Sequence, residues 1–371
     1  MSERREAPAH VRGLAEQRAK ARADRDFASA DVLRGQIEQA GWLVRDGGPE
    51  GFELAPKPPF EVWPTVAAIP VPAARERLEP VEEPDGPEKG GEPTEASGPG
   101  TEGVVAAQVL WDASLATSRV DEAISGAGGS ERYTKTPSGT VTVGLLVDGW
   151  PGDVRRCLDA LLTYTDAKII ALDLGDIDGA GTVLHELADA HGSRITAFHV
   201  AERPHWRSGS AGWGASRTKL MRIDTAEIHV MMETSTVLDG DAITPLADAI
   251  HAGATAAGWQ GVDPGDDGRE WHPAGPGRVR GLLGYLLAVR RAAALDAGGL
   301  SDRARYYRNA DLEFSLTLPG DLVVPEGTLP VHQERHRAYH EVDPAYRDRE
   351  SHRTYDRVLR LLRSKPGART P

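Results

Sequence analysis

The sequence has little cysteine, few aromatic residues, no excess of positive charge and no long hydrophobic run. The single cysteine, Cys157, excludes an internal disulfide framework, and its place on the apolar stripe of a predicted helix favours a core side chain over a nucleophile. A net charge of −13 at pH 7 argues against a nucleic-acid partner, because proteins that bind nucleic acids have basic surfaces. Because no apolar stretch reaches the length of a membrane span and the N-terminus lacks a signal-peptide core, we expect a cytoplasmic protein without a membrane span.

Residues 11–40 have the pattern of a helical hairpin, and a β-hairpin follows. Asp26 is placed to cap the second helix, Gly41 to end it, and WLVRDGGPEGFEL has turn residues between two β-prone arms. The segment from Arg18 to Leu54 resembles the C-terminal helical region of cysteinyl-tRNA synthetases, where an R-x-x-A-R-x-x-K-D-(F/W)-x-x-A-D-x-I-R-D pattern precedes a G-x-x-x-x-D-x-x-x-G turn. No synthetase catalytic motif is present, and acidic and basic residues balance in residues 1–50. A docking module for a protein partner is therefore favoured over a tRNA contact.

Changes in composition divide the rest of the chain. After the helical appendage of residues 1–56, residues 57–74 are predicted as an extended strand limited by its prolines. Residues 75–103 are dominated by Pro, Glu and Gly and predict a disordered acidic linker, because they have too little apolar surface to offset the entropy of ordering. Residues 104–140 are predicted as an irregular lead-in, and residues 141–371 as an α/β domain.

The stretch VTVGLLVDGWPGDVRRCLDALL, residues 141–162, begins the α/β pattern. Its first seven residues form an apolar, β-branched run that predicts a buried strand. Asp153 is placed to cap the helix that follows. Ligands of open α/β sheets bind where strands end, so Asp148 is a candidate at the edge of a site. Three further strands alternate with helices up to residue 250, and the chain after Trp259 is predicted as irregular until about Arg280.

Residues 141–364 resemble the family-2 glycosyltransferases, which have the GT-A fold, in the order and spacing of several short motifs. The family's V-D-D-x-S-x-D stretch corresponds to LDLGDIDG, in which Asp173 takes the first acidic position, Leu174 replaces the middle acid and Asp178 takes the last. In relatives an aspartate here holds the nucleotide base or ribose, since a carboxylate at a strand end accepts hydrogen bonds from such groups. Turn formation is the alternative for Asp173 and the favoured interpretation for Asp176 and Asp178.

Two further motifs of the family concern the donor's diphosphate. The G-x-x-x-A-R-N loop corresponds to GWGASRT, which keeps Arg217, and an arginine at a helix start suits a diphosphate clamp, with a surface salt bridge as the alternative. The D-x-D motif, which binds the metal in relatives, corresponds to Glu233 and Ser235. Magnesium needs one or two protein carboxylates when phosphates and water supply the other ligands, so this pair remains workable. A strand-end glutamate with no metal is the alternative.

The late acidic motif, E-D-x-D in the family, corresponds to residues 308–311 and retains Asp311. An inverting transfer needs a carboxylate that takes the proton of the acceptor hydroxyl, and Asp311 is the candidate, with helix capping as the alternative. Glu313 shares a face with Asp311 if this stretch is a strand. If the base position is instead Asn309, the domain has no base and is catalytically silent.

Three histidines, His332, His336 and His340, recur every four residues near the C-terminus. This region is predicted as helical, which would place them on one face. A straight helix rarely wraps one metal, so a solvated face is favoured over a zinc site. In relatives a late histidine completes the metal shell, a role that the resemblance extends to His336 or His332.

The glycosyltransferase resemblance implies an α/β fold of the GT-A type, with a mixed sheet and flanking helices. It also implies transfer of a sugar from a nucleoside-diphosphate sugar to an acceptor that the sequence does not identify, with magnesium or manganese as the cofactor. The departures at Leu174, Ser235 and Asn309 leave a second possibility, a catalytically silent binding or scaffold protein. A third possibility, a tRNA-associated accessory protein, depends on the N-terminal resemblance alone.

The predicted linker leads to a proteolysis experiment. Limited proteolysis is expected to release a stable C-terminal fragment that begins between roughly Arg77 and Thr140, because an unfolded segment enters a protease site readily. Mass spectrometry of the fragments identifies the cut. Resistance of this segment, at protease concentrations that cleave other unfolded chains, would contradict the assignment.

Overall fold

The computed structural model describes residues 7–47, 51–72, 139–265, 270–334 and 341–364. The chain divides into two compact units, residues 1–61 and 62–371. The predicted linker of residues 75–103 lies outside the described residues, as does the lead-in of residues 104–140 except for its last two positions. Both remain predictions.

The first unit contains two helices and a β-hairpin, and both predicted elements are confirmed. Helix α1 spans Ala9–Ala23, helix α2 spans Phe27–Gln39, and strands β1 (Trp42–Asp46) and β2 (Phe52–Pro56) pair antiparallel. Asp26 caps α2 by accepting the Ser29 N–H at 3.1 Å, and Gly41 has a φ of +79°, which favours glycine. The unit has its own small core of buried side chains: Val11, Ala15, Ile37, Trp42 and Phe52.

The second unit begins its sheet with the predicted strand β3, which spans Val141–Val147, and the helix α3 that follows spans Pro151–Tyr164. The prediction that Asp153 caps this helix is wrong. The helix starts two residues earlier because Pro151 suits its first turn, and the buried Asp153 lies within that turn and pairs with Arg156. Cys157 is fully buried in the core, as expected, and burial raises the pKa of its thiol to about 12.

Eight strands of the described residues form one mixed sheet, which confirms the predicted α/β class with flanking helices. Strands β3, β4 (Lys168–Leu174), β5 (Ile195–Val200) and β6 (Ile228–Met232) are parallel, in the order β6-β3-β4-β5. Strand β13 (Leu286–Arg290) runs antiparallel beside β6. Because the parallel strands end at one edge of the sheet, the loops after β3, β4 and β6 meet there.

Beyond β13 the sheet continues through β8 (Ala256–Gly258), β14 (Leu322–Val324) and β11 (Gly277–Val279). A separate three-stranded sheet consists of β9 (Gly261–Pro264), β10 (Trp271–Ala274) and β12 (Gly281–Leu282). The prediction of an irregular chain after Trp259 is therefore wrong for these segments. Their strands are two to four residues long, too short to produce a readable alternation of apolar and polar residues.

Helices cover both faces of the large sheet. On one face lie α3, α4 (Ala180–Ala190) and α6 (Ile243–His251), and on the other lie α5 (Trp213–Ile223), α7 (Arg291–Asp296) and α8 (Ala310–Thr317). Strand side chains alternate between these layers, since Leu145 packs into the first core and Leu146 into a core on the opposite face. None of the described helices is both long enough and apolar enough to cross a bilayer.

Two other predictions need correction. The predicted extended strand of residues 57–74 is reduced to a single bridge, in which Trp63 pairs with Val200 at the sheet edge, while Val66 and Ile69 pack onto the core. The three C-terminal histidines do not share a helix, because His332 lies in strand β15 (Val331–Gln333) and accompanies β7 (Thr236–Leu238). His336 and His340 lie outside the described residues, and the last helix, α9, spans Pro344–Ser364.

A bidentate ion pair joins α8 to α9. The guanidinium of Arg357 donates to both carboxylate oxygens of Glu313, at 2.6 and 2.8 Å, and the two side chains are 13% and 10% exposed. Asp311 and Glu313 both belong to helix α8. Residues two positions apart on a helix do not share a face, so these two side chains point in different directions. The side chain of Glu313 is used in packing α9 against the domain.

Arg357→Ala is expected to lower the free energy of unfolding by about 3 kcal/mol, because it leaves the Glu313 carboxylate buried without its partner. Chemical denaturation measures this loss. The matched control is Arg155→Ala, which removes an exposed partner from Glu186 and should cost less than about 0.5 kcal/mol. Equal losses in the two variants would contradict a special role for the pair.

Candidate functional site

A narrow cleft of about 20 Å³ lies at the edge where β3, β4 and β6 end. Asp148, Leu174 and Glu233 lie at the ends of these three strands. Leu146 of β3 also lines the cleft, and the remaining lining comes from the loop after β5, the start of α5 and the segment before α8: Pro204, Trp206, Ala211, Trp213, Arg305, Tyr306 and Tyr307. The cleft is thus acidic at its floor and aromatic at its walls.

Asp148 lies at the predicted site edge and is joined to a pair of tryptophans. Its carboxylate accepts a hydrogen bond from the indole N–H of Trp206 at 3.0 Å. Trp206 stacks on Trp150 with ring centroids 5.1 Å apart and planes 12° apart, and the Trp150 indole N–H donates to Glu341. Burial and the negative charge of Glu233 raise the pKa of Asp148 to about 7. The pair offers flat apolar rings beside a carboxyl group whose charge changes near neutral pH.

Arg217 is fully enclosed by the ends of β3 and β6. Its guanidinium donates to the carbonyls of Gly144 and Met232 and to the carboxylate of Glu233, at 3.0, 3.0 and 2.9 Å. The side chain is 1% exposed, so it does not form the surface salt bridge considered above. In this structure its charge is directed to Glu233 and to the strand ends, which is not the arrangement of a diphosphate clamp at the mouth of the cleft.

Asp311 is connected to Glu233 through the residues that precede β13. Its carboxylate accepts the N–H of Gly284 at 2.9 Å, and the next carbonyl, that of Tyr285, accepts the N–H of Glu233 at 3.1 Å. A second carboxylate oxygen accepts the N–H of Leu312 in the first turn of α8. Burial, and to a smaller extent the charge of Glu233, raises the pKa of Asp311 to about 6 despite these hydrogen bonds.

Asp173 does not line the cleft. It is 1% exposed, its carboxylate accepts the N–H of Asp176, and it contacts Nδ1 of His199 at 3.2 Å. Gly181 packs so closely on this carboxylate that an added Cβ would lie 2.3 Å from it. The structure uses Asp173 in the turn after β4, and Leu174 lines the cleft in its place. Asp178 is exposed on the same turn.

The residues expected to hold a divalent metal do not assemble into a metal site. Glu233 is bound by Arg217, and the buried Ser235 hydroxyl has no hydrogen-bond partner among the described residues. His336 lies outside the described residues, and His332 pairs with Asp239 at 2.7 Å. In the described part of the chain no three His, Cys, Asp or Glu side chains are arranged to hold a metal ion. Glu233 is the one carboxylate of this set and Arg217 already holds one of its oxygens, so the described residues fit magnesium or manganese poorly.

Several residues of the cleft were not predicted from the sequence. Trp206 lies in a 3-10 turn, Trp213 begins α5, and Arg305, Tyr306 and Tyr307 lie in the segment before α8, where burial raises the pKa of Tyr307 above its ordinary value. A signal was present, because RPHWRSGSAGWG is rich in glycine and tryptophan and RYYRN joins aromatic to basic residues. Loop residues carry no periodicity, so nothing in the sequence indicated that these segments meet.

A larger groove, of about 760 Å³, lies at the opposite edge of the sheet, where β3 and β4 begin. Its charged lining residues are Asp166, Lys168, Asp241, Asp248 and His251. The smaller cleft is the better candidate, because ligands of open α/β sheets bind at the carboxyl ends of strands and because the perturbed carboxyl groups, Asp148 and Asp311, lie on that side.

Comparison with known proteins gives one sequence match and several structural likenesses. No protein-family profile matches the chain. Over 49 residues the sequence is 47% identical to Cysteine--tRNA ligase 1 of Burkholderia lata, which covers 13% of this chain and 10% of the ligase. The chain therefore spans about a tenth of the length of this curated relative, and the N-terminal resemblance predicted above is confirmed over that extent.

The structure is similar to solved glycosyltransferases. GalNAc-T7 with UDP, GalNAc and Mn²⁺ has a TM-score of 0.44 at 14% identity, covering 53% of this chain and 43% of that one. Mannosyltransferase PcManGT from Pyrobaculum calidifontis, in complex with GDP-Man and Mn²⁺, has 0.41 at 15%, covering 65% and 79%. TarS from S. aureus, residues 1–349, has 0.40 at 13%, covering 61% and 73%. At these identities the likeness concerns the fold.

The raised pKa of Asp148 predicts a pH-dependent stability. A carboxyl group that binds its proton more tightly when folded stabilises the folded state at low pH, and this contribution is lost as the pH rises from about 4 through 7. Asp148→Asn keeps an acceptor for Trp206 but has no charge to bury. The stability of the variant relative to the wild type should therefore rise by about 2–3 kcal/mol from pH 5 to pH 8.

Thermal melting at both pH values tests this, with Asp178→Asn at an exposed aspartate as the control. If wild type and Asp148→Asn lose stability equally between pH 5 and pH 8, the carboxyl group of Asp148 does not titrate in this range.

Proposed function

We propose that the second unit binds a nucleoside-diphosphate sugar at the cleft and transfers the sugar to an acceptor hydroxyl. The observation that carries the proposal is that Asp148, Glu233 and Trp206 line one cleft at the carboxyl end of the parallel strands, with Asp311 buried close to Glu233. Glu233, which belongs to the motif that resembles the D-x-D of family-2 glycosyltransferases, supports the proposal because it lines this cleft. The acceptor and the identity of the sugar remain open.

The aromatic walls suit the flat or apolar faces of such a donor. A nucleobase stacked on an aromatic ring contributes about 1–3 kcal/mol, and one face of a sugar ring packs on indole in a similar way. Of the stacked pair, Trp206 lines the cleft and places its indole ring beside the Asp148 carboxyl, which accepts hydrogen bonds when ionised. This combination binds a ring through its face and its polar edge together.

Asp311 is the proposed general base. The acceptor oxygen attacks the anomeric carbon while Asp311 takes its proton, the bond from that carbon to the phosphate oxygen breaks, and the nucleoside diphosphate leaves with the electron pair. A base is most effective when its pKa lies near the working pH, and burial brings that of Asp311 to about 6. A single displacement of this kind inverts the anomeric configuration.

One set of observations favours a second candidate, a binding protein without catalysis. Asp173 is buried in a turn and Arg217 is bound to Glu233, so two residues that would handle the donor in relatives face inward. Such a protein would bind the nucleotide sugar and hydrolyse nothing. The two candidates differ in turnover, and one experiment separates them.

The first unit is proposed as a docking module for a protein partner. Arg18 and Arg22 on α1 both pair with Asp46, at 2.7 and 3.3 Å, so one carboxylate offsets part of their positive charge. This leaves less positive charge for a phosphate backbone and disfavours the tRNA-associated alternative.

Calorimetry with UDP, GDP and ADP, followed by NMR of donor hydrolysis, tests the proposal. Asp311→Asn is expected to bind nucleotide as the wild type does and to hydrolyse the donor about a hundredfold more slowly, the usual loss when a general base is removed. The wild-type rate should rise with pH through an apparent pKa near 6, because the base must be ionised. Asp178→Asn, outside the cleft, is the control.

Nucleotide binding with no hydrolysis of any donor would favour the binding-protein candidate. If no nucleoside diphosphate binds, the cleft is not a donor site and the proposal fails.

A further inference from the structure

The cleft has an uneven distribution of charge. Its floor holds the carboxyl groups of Asp148 and Glu233, with Asp311 behind them, whereas a diphosphate brings two or more negative charges. The carboxylates of the floor and a bound diphosphate would repel each other at close range, so binding needs a cation that offsets these charges. In many phosphate sites that cation is a divalent metal, but the donor set around Glu233 fits one poorly.

Arg217 cannot supply the missing charge at the mouth of the cleft. It is 1% exposed, it makes three hydrogen bonds to the strand ends and Glu233, and it does not line the cleft. Moving it would leave Glu233 uncompensated. Its effect is to reduce the negative charge of the floor and to occupy the carboxylate that a metal would need.

Arg305 is the cation that the described residues place in the cleft lining. It is exposed, and its guanidinium makes no ion pair or hydrogen bond with the described residues. The charge of Arg305 acts on His205, the neighbour of the lining residue Trp206. Burial first, and then this charge, lower the pKa of His205. A guanidinium donates two parallel N–H groups to phosphate oxygens, which makes arginine a strong ligand for phosphate.

The backbone of Arg305 is firmly held. Its neighbours Ala304 and Tyr306 are buried, the Ala304 carbonyl accepts the Gly214 N–H at 2.8 Å, and the Tyr346 hydroxyl donates to the Arg305 carbonyl at 3.4 Å. Gly214 permits this close approach, because an added Cβ would lie 2.2 Å from the Ser301 carbonyl. A fixed backbone limits the conformational entropy lost on ligand binding to that of the Arg305 side chain itself.

We infer that Arg305 binds the diphosphate of the donor directly, so that nucleotide binding does not need a divalent metal. The inference rests on the proposed function, because it assigns a ligand group within that cleft. Arg217 and Arg305 divide the task that a metal performs in other sites: the first compensates the acidic floor, and the second contacts the phosphates.

The test compares Arg305→Ala with Arg303→Ala, a nearby exposed arginine that does not line the cleft. Affinity for a nucleoside diphosphate is measured by calorimetry in EDTA and in Mn²⁺. The wild type should bind equally well in both, Arg305→Ala should bind at least about tenfold more weakly, and Arg303→Ala should stay within about twofold. Arg305→Lys should lose less than the alanine variant, because it keeps the charge.

Two further measurements separate a phosphate contact from a general loss of structure. The nucleoside without phosphates should bind Arg305→Ala and wild type alike, and inorganic pyrophosphate should displace nucleotide from the wild type at lower concentration than from Arg305→Ala. Glu233→Gln removes a negative charge from the floor, so it should bind the diphosphate more tightly in EDTA. A metal ligand at this position would instead show weaker binding in Mn²⁺.

The inference is overturned if binding disappears in EDTA, or if Arg305→Ala and Arg303→Ala bind the nucleotide equally well. In either case the nucleotide still binds, so the proposed function survives. If no nucleoside diphosphate binds the wild type under any condition, the proposed function and this inference fail together.

Discussion

The buried guanidinium of Arg217 is the interaction on which the site depends. It joins β3 to the end of β6 by donating to the carbonyls of Gly144 and Met232, and it holds the carboxylate of Glu233. A buried charge is costly unless it is paired, because it has left water, and Glu233 supplies that pairing. The ion pair between Arg217 and Glu233 therefore fixes the position of Glu233 relative to the strands, and with it the floor of the cleft.

The electrostatics of the cleft follow from that arrangement. Glu233 lies between Asp148 and Asp311 and raises the pKa of both, in addition to their burial. Acidic groups with pKa values near 6 and 7 change charge in the range where enzymes work, a feature that is frequent in active sites. The compensation comes from two arginines in different surroundings, one buried beneath the floor and one exposed at the wall. This division explains how an acidic cleft can receive an anionic ligand.

The two units have different physical characters. The first is a small helical and β-hairpin body with its own core and with basic side chains paired to Asp46. The second has a mixed sheet between two helical layers and contains the cleft. The chain is therefore built from two modules of different architecture. The function of each module depends on its own sites and not on its fold alone.

The sequence by itself determined the parallel strands, their helices and the N-terminal hairpins. Apolar periodicity and capping residues such as Asp26 act over a few positions, and a reader of the chain can see them. It also indicated that Asp148 stands at a strand end. Its motifs, however, did not reveal that Asp173 turns into the protein or that Arg217 is enclosed.

Only the tertiary structure decided which side chains share the cleft. Trp150 and Trp206 come from loops far apart in the chain, and Arg305 comes from a third segment. Their meeting depends on the order of the strands and on the packing of the segment before α8, which are long-range properties without a local signal. The same holds for burial, which sets the pKa of each carboxyl group. The sequence specifies the chemical type of each side chain, whereas folding decides which side chains are close together and which are removed from water.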